Sequence, residues 1–302
     1  MYDRILVPLD GSEVAEQVLP YVKLLARPGK VPITLLRVVE PIPYDLIAVA
    51  VRVPVDEVNA DIQANAQQYL EKMAAPLREE SLPVSLKVLS DPAAACIVNE
   101  AAGAPGTLIA MSTHGRSGVS RWAFGSVTGK VIQTTANPLL IIRSSDDSTP
   151  ESEIVIDNVI APLDGSELAE QILPHVADLA KNLDLSVTLL RITPSAGDYY
   201  RFMDYPIPEF DDLPEQMDAQ ALAYLENHGK WLRQQGVTRV EERLSHGSSA
   251  IAVTDFAKET PNNLIVMTTH GRSGVGRWIL GSVADRVVRH SGDPVLVVRA
   301  TE

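Results

Sequence analysis

A chain of 302 residues has room for two domains of about 150 residues, each able to bury roughly 68–70% of its unfolded surface without staples. Its 45% hydrophobic and 22% charged content excludes a largely disordered or collagen-like protein. The net charge of −13, divided as −3 over residues 1–150 and −10 over residues 151–302, opposes binding to nucleic acid or an anionic membrane. Any phosphate must therefore be held locally, by backbone amides and one or two cations.

In chain order, residues 4–9 read as a continuous apolar strand of the kind buried on both faces. Ser12 then offers an N-cap to a helix whose Val14, Val18, Tyr21, Val22 and Leu25 share one face. A second strand spans 33–39, followed by a proline-rich segment over 41–54 and a long helix over 60–80. The third strand spans 84–89. Asp91-Pro92 supplies the N-cap and first helical position for the helix containing Cys96. As the single cysteine, Cys96 excludes an intramolecular disulfide and a cysteine metal site, and reads as a buried structural thiol. A fourth strand at 108–111, a helix at 125–135 and a fifth strand at 139–143 complete the unit.

Residues 144–153 contain no apolar side chain and mark a linker between domains 1–145 and 154–302. About ten residues cross between neighbouring domains without letting them roam. The second half repeats the plan, with a proline-rich segment at 194–214 and a last strand at 294–299. Alternating strands and helices give an α/β fold, with helices on both faces of a parallel sheet and right-handed crossovers. The expectation is two flavodoxin-like, doubly wound, parallel five-stranded sheets in tandem, each with a ligand crevice at the carboxyl ends of strands one and four. The start of the chain lacks a signal-peptide pattern and no apolar run approaches about 18 residues, so a cytoplasmic protein is expected.

The halves are copies. Pro8-Leu9-Asp10-Gly11-Ser12-Glu13 returns as Pro162-Leu163-Asp164-Gly165-Ser166-Glu167, an offset of 154. Thr113-His114-Gly115-Arg116-Ser117-Gly118-Val119 returns as Thr269-His270-Gly271-Arg272-Ser273-Gly274-Val275, an offset of 156. The motif with most chemistry is Ser112-Thr113-His114-Gly115, nine residues, then Gly125-Ser126, matched by Thr268 to Gly271 and Gly281-Ser282. Glycine lets backbone bend and a ligand approach, while Gly125-Ser126 opens a helix whose first amides and dipole suit phosphate. Arg116 and Arg272 can add the positive charge; Arg121 and Arg277 are loop cations or stack on the following tryptophan. His114 and His270 read as hydrogen-bonded loop histidines or as general bases. Asp10 and Asp164 can accept from a ribose hydroxyl or an adenine amino group, or can simply close an Asx turn.

Enzyme motifs fail on spacing. Gly125-Ser126-Val127-Thr128-Gly129-Lys130 is one residue short of a P-loop, and the second copy carries Ala284-Asp285-Arg286 there. Gly115-Arg116-Ser117-Gly118 is one residue short of a nucleophile elbow. The glycines of 271–276 do not make a dinucleotide fingerprint, and no cluster has metal-ligand spacing.

On these residues the sequence resembles the universal stress protein family in its tandem two-domain form, over nearly the whole chain. The resemblance implies an adenine nucleotide alpha hydrolase-like fold and the binding of ATP, AMP or ADP, often with Mg²⁺, in a stress-linked regulator with at most weak ATP hydrolysis. The family's Gly-x2-Gly-x9-Gly-Ser/Thr pattern maps here onto Ser112, Gly115 and Gly125-Ser126, and onto Thr268, Gly271 and Gly281-Ser282, with a hydroxyl residue replacing the first glycine in both halves. The strand-one acid and a backbone position ending strand two match Asp10 and Val38, and Asp164 and Ile192. The implied nucleotide set is Pro8, Leu9, Asp10, Val38, Met111, Ser112, His114, Gly115, Arg116, Gly125, Ser126 and Val127, repeated as Pro162, Leu163, Asp164, Ile192, Met267, Thr268, His270, Gly271, Arg272, Gly281, Ser282 and Val283. It further implies pairing of 139–143 with 295–299 in an intramolecular pseudo-dimer. Alternatives are a nucleotide-independent interaction module and a slow ATPase. An acidic run from Asp198 to Asp218 makes the second site the expected weaker one.

Overall fold

The computed structural model describes residues 2–40, 55–113, 125–144, 154–195, 213–269 and 280–301, in two units, Tyr2–Ile154 and Val155–Glu302. In the first unit, β1 (Arg4–Pro8) carries Ile5, Leu6 and Val7 at 1% exposure or less, because sheet neighbours lie on both sides and helices cover both faces. The chain continues through α1 (Glu13–Glu16), α2 (Leu19–Ala26), β2 (Ile33–Val39), α3 (Val55–Glu79), β3 (Val84–Ser90), α4 (Ala93–Ala102), β4 (Thr107–Thr113), α5 (Ser126–Thr134) and β5 (Leu139–Arg143). All pairings are parallel and the strand order is β3-β2-β1-β4-β5. The order reverses between β1 and β4, which opens a crevice at their carboxyl ends. From Val84 to Lys87 the edge strand β3 alternates half-buried and exposed side chains, since one face packs on α3 and the other meets solvent.

The second unit repeats this with β6 (Asn158–Pro162), α6 (Glu167–Glu170), α7 (Leu173–Leu183), β7 (Ser186–Thr193), α8 (Leu213–Gln234), β8 (Val240–His246), α9 (Ser249–Glu259), β9 (Asn263–Thr268), α10 (Ser282–His290) and β10 (Val295–Val298). Its order is β8-β7-β6-β9-β10, again parallel. The doubly wound parallel α/β architecture expected from the alternation is therefore present twice.

Three details depart from the sequence reading. The helix expected to be capped by Asp91 with Pro92 at its first position instead begins at Ala93, with Pro92 as N-cap and no side-chain cap bond. The single helix expected after β1 is broken into α1 and α2, with i→i−3 bonds from Gln17 N–H to Val14 O and from Val18 N–H to Ala15 O between them. Pro20 sits in the first turn of α2, where its missing N–H costs nothing, but its ring cannot follow on from a continuous helix. Pro174 does the same to α6 and α7. The long helix also starts earlier, at Val55 rather than residue 60.

Cys96 is buried in α4, and burial pushes its thiol above the usual range, in keeping with a structural thiol. Asp293 is the more consequential buried group. Burial raises its pKa to about 6, against the opposing pull of the Asn263 amide, at 3.3 Å, and of Lys258. A carboxyl group with a raised folded-state pKa withdraws stability as pH climbs from about 4 to about 6, and the loss is complete above that. Asn137 occupies the corresponding place in the first unit, donating to Thr107 O at 3.1 Å. Asp293→Asn should therefore stabilise the second unit above pH 6, by on the order of 1–2 kcal/mol after allowing for solvent screening, and leave stability at pH 4 unchanged. Thermal melts of both proteins across pH 4–8 test this; parallel curves would refute it.

Candidate functional site

Four contributions to each crevice come from segments anticipated in the sequence. The first contribution is the turn after β1. Leu9 N–H still reaches Leu36 O at 2.8 Å, extending the β1–β2 ladder by one bond. The chain then leaves the sheet through Asp10 and Gly11, whose φ of +84° is the left-handed region glycine tolerates. Asp10 Oδ1 accepts from Ser12 N–H at 2.9 Å and from Ser12 Oγ at 2.5 Å, while Ser12 Oγ accepts from Ala15 N–H at 3.2 Å and caps α1. Asp164, Gly165 (φ +83°) and Ser166 reproduce the arrangement, with 3.0, 2.6 and 3.2 Å for the same three bonds. The Asx-turn reading of these acids is thus realised in both copies, on one carboxylate oxygen.

The second and third contributions are the ends of β2 and β4. The fourth is the opening of α5, where Gly125 is the N-cap with no side-chain cap bond, so nothing on its own residue shields the first-turn amides. Gly281 opens α10 in the same way. Between these elements lies a cavity of about 230 Å³ in the first unit, lined by Pro8, Leu9 and Asp10 from β1 and its turn, Val38 from β2, Met111 and Ser112 from β4, and Gly125, Ser126 and Val127 from α5. The second unit has a cavity of about 340 Å³ lined by Pro162, Leu163, Asp164, Ile192, Met267, Thr268, Gly281, Ser282 and Val283. Every described residue of the implied nucleotide set thus lines one of two corresponding crevices. His114, Gly115, Arg116, His270, Gly271 and Arg272 lie outside the described residues, as do Arg121 and Arg277.

Sequence reasoning missed part of the lining. Leu36 and Leu190 stand two residues before Val38 and Ile192, on the same face of β2 and β7. Ala93 and Ile97, and likewise Ser249 and Val253, come from the first turns of α4 and α9 at i, i+4 spacing. The Asp91-Pro92 helix start was the available signal, because a helix beginning just after β3 begins beside the same sheet end.

The family model described as the universal stress protein family matches residues 1–143 and 156–299. The chain belongs to the universal stress protein family. A universal stress protein of Mycolicibacterium smegmatis is 24% identical over 298 residues, covering 98% of this chain and 96% of that protein. A half-length relative, named a putative universal stress protein of Staphylococcus haemolyticus, is 33% identical over 146 residues, covering 48% of this chain and 86% of its own length. Among solved structures, a universal stress protein from Archaeoglobus fulgidus superimposes with a TM-score of 0.72 at 20% identity over 99% of both chains, which establishes the shared fold. Both universal stress protein units are accordingly present in tandem. No helix among the described residues is long and apolar enough to cross a membrane.

Proposed function

We propose that the protein binds adenine nucleotide, ATP foremost, in these crevices and serves as a stress-response regulator. The observation that carries the reading is the twinned crevice, in which an acid on the strand-one turn and an uncapped glycine opening a nine-residue helix flank one cavity. The chemistry fits the group. Leu36, Val38, Ile97 and Met111 offer an apolar slot for a purine, Asp10 an acceptor for ribose or amino hydrogens, and the α5 opening a place for phosphate. Mg²⁺ in such sites is held largely by the phosphates with one or two carboxylates, so it would arrive with the nucleotide. Family resemblance extends the reading to an intramolecular pseudo-dimer through strands 139–143 and 295–299.

Calorimetric titration with ATP, with and without Mg²⁺, is the direct test, and saturable binding below millimolar ATP is expected. Heats indistinguishable from dilution would sink the proposal. The first crevice is expected to be the tighter, because the acidic residues of the second half repel an anion. Titration of single-site variants reads this, and equal affinities would contradict it. The hydroxyl residues Ser112 and Thr268 at the first motif glycine favour the second reading, a nucleotide-independent interaction module. That reading requires partner binding that ATP does not alter.

A further inference from the structure

Strand-end carbonyls normally accept from the neighbouring strand, yet the last carbonyl before each acidic turn is taken by an arginine side chain. Arg37 Nη1 donates to Leu9 O at 3.2 Å, and Arg191 Nη1 donates to Leu163 O at 3.3 Å. Each arginine comes from the strand paired with the one it terminates, between two crevice-lining residues: Leu36 and Val38, or Leu190 and Ile192. Each guanidinium also lies over a tyrosine, Arg37 at 5.9 Å from the Tyr69 ring and Arg191 at 5.3 Å from the Tyr224 ring. The tyrosines are fixed in turn, donating to Glu16 Oε1 and Glu170 Oε1 at 3.0 Å. Burial first, and then the adjacent glutamate, push both phenols above their usual range, so they remain donors. Those glutamates belong to α1 and α6, the helices the acidic turns lead into. The loop is closed: strand, arginine, tyrosine, glutamate, helix and back to the turn.

We infer that Arg37 and Arg191 are positioning residues that set the turns carrying Asp10 and Asp164, and so govern ligand affinity without touching ligand. The inference rests on the nucleotide reading of the crevice for its affinity consequence, and on the turn geometry alone for its structural one. A mere packing role predicts a general loss of stability. The positioning role predicts an effect that travels through Asp10.

The test uses the full chain in a Gly281→Asp background, so that the first crevice alone is read. Arg37→Met is expected to raise the ATP Kd about tenfold, as loss of a charge-assisted contact does. Asp10→Ala should weaken binding comparably, and the double variant should be little worse than either single one. Arg37→Lys keeps the charge but not the flat stacking, and should fall between parent and Arg37→Met; it also serves where the methionine variant fails to fold. Hydrogen exchange of the peptide over residues 9–12, whose Ser12 amide is bonded to Asp10, should quicken in Arg37→Met. Additive losses in the double variant, or unchanged exchange in that peptide, would overturn the inference. Absence of ATP binding by the unaltered chain would instead remove the nucleotide reading, and the exchange comparison would then decide the positioning role by itself.

Discussion

Gly125→Asp is expected to raise the ATP Kd of the first crevice by about 100-fold or more while the thermal midpoint holds or climbs slightly. Gly125 has φ −53° and ψ 151°, a backbone any residue adopts, and a β-carbon there would meet no atom of the described residues within 4 Å. Aspartate is also a better N-cap than glycine, by a few tenths of a kcal/mol, because its carboxylate accepts from the first-turn amides. Those are the donors a phosphate needs, and the new charge faces where the phosphate would lie. Two or three charge-assisted bonds lost at about 1.5–3 kcal/mol each are ample for the expected change. Stability and binding therefore move in opposite directions. Calorimetry with ATP, beside scanning calorimetry of the free protein, separates them. Parent-like affinity, or a collapse in midpoint, would contradict the assignment of this helix opening to phosphate. Gly125→Ala adds the methyl without the charge and should give a smaller loss.

The second large effect concerns the turn glycines. Gly165→Ala should destabilise by about 1–3 kcal/mol, and Gly11→Ala by about 1 kcal/mol, although φ is the same within a degree. The difference lies in the space above each. A β-carbon on Gly11 would sit 3.5 Å from the Arg37 guanidinium, an ordinary contact, whereas one on Gly165 would run into Arg191 Nη1 and push it off Leu163 O. The backbone strain is shared, and the displaced arginine is not. Denaturant melts of the two variants read the contrast. A Gly11→Ala penalty as large as that of Gly165→Ala would show that strain alone sets the cost.

How much of this was visible in the chain depended on whether partners lay near in sequence. The Pro-Leu-Asp-Gly-Ser turn and the Gly-Ser helix opening were legible because each is a local device, and because two copies at offsets of 154 and 156 argue against accident. The parallel order followed from alternation. For Asp10 the residues alone left ribose acceptor and Asx turn open, and only the folded turn shows Oδ1 engaged with Ser12. Arg37, Tyr69 and Glu16 were not legible as a group. An arginine in a strand and a tyrosine in a helix carry no spacing that joins them, and the tyrosine stands 53 residues from its glutamate. Leu36, Ala93 and Ile97 were missed for a related reason, since their role arises where separate elements converge. Pro20 was in plain view, and its consequence for the helix was a matter of backbone chemistry that periodicity of apolar residues overrides on paper.

The unequal cavities, about 230 and 340 Å³, are carried on a single polypeptide and so exist in fixed one-to-one proportion. A cell using two separate half-length proteins could retune a response by changing how much of each it makes. Here that freedom is gone, and the balance between the two crevices is written in side chains alone. If their affinities differ tenfold, partial occupancy of the chain extends over roughly a decade more of ligand concentration than one site allows. Dosage is thereby converted into sequence.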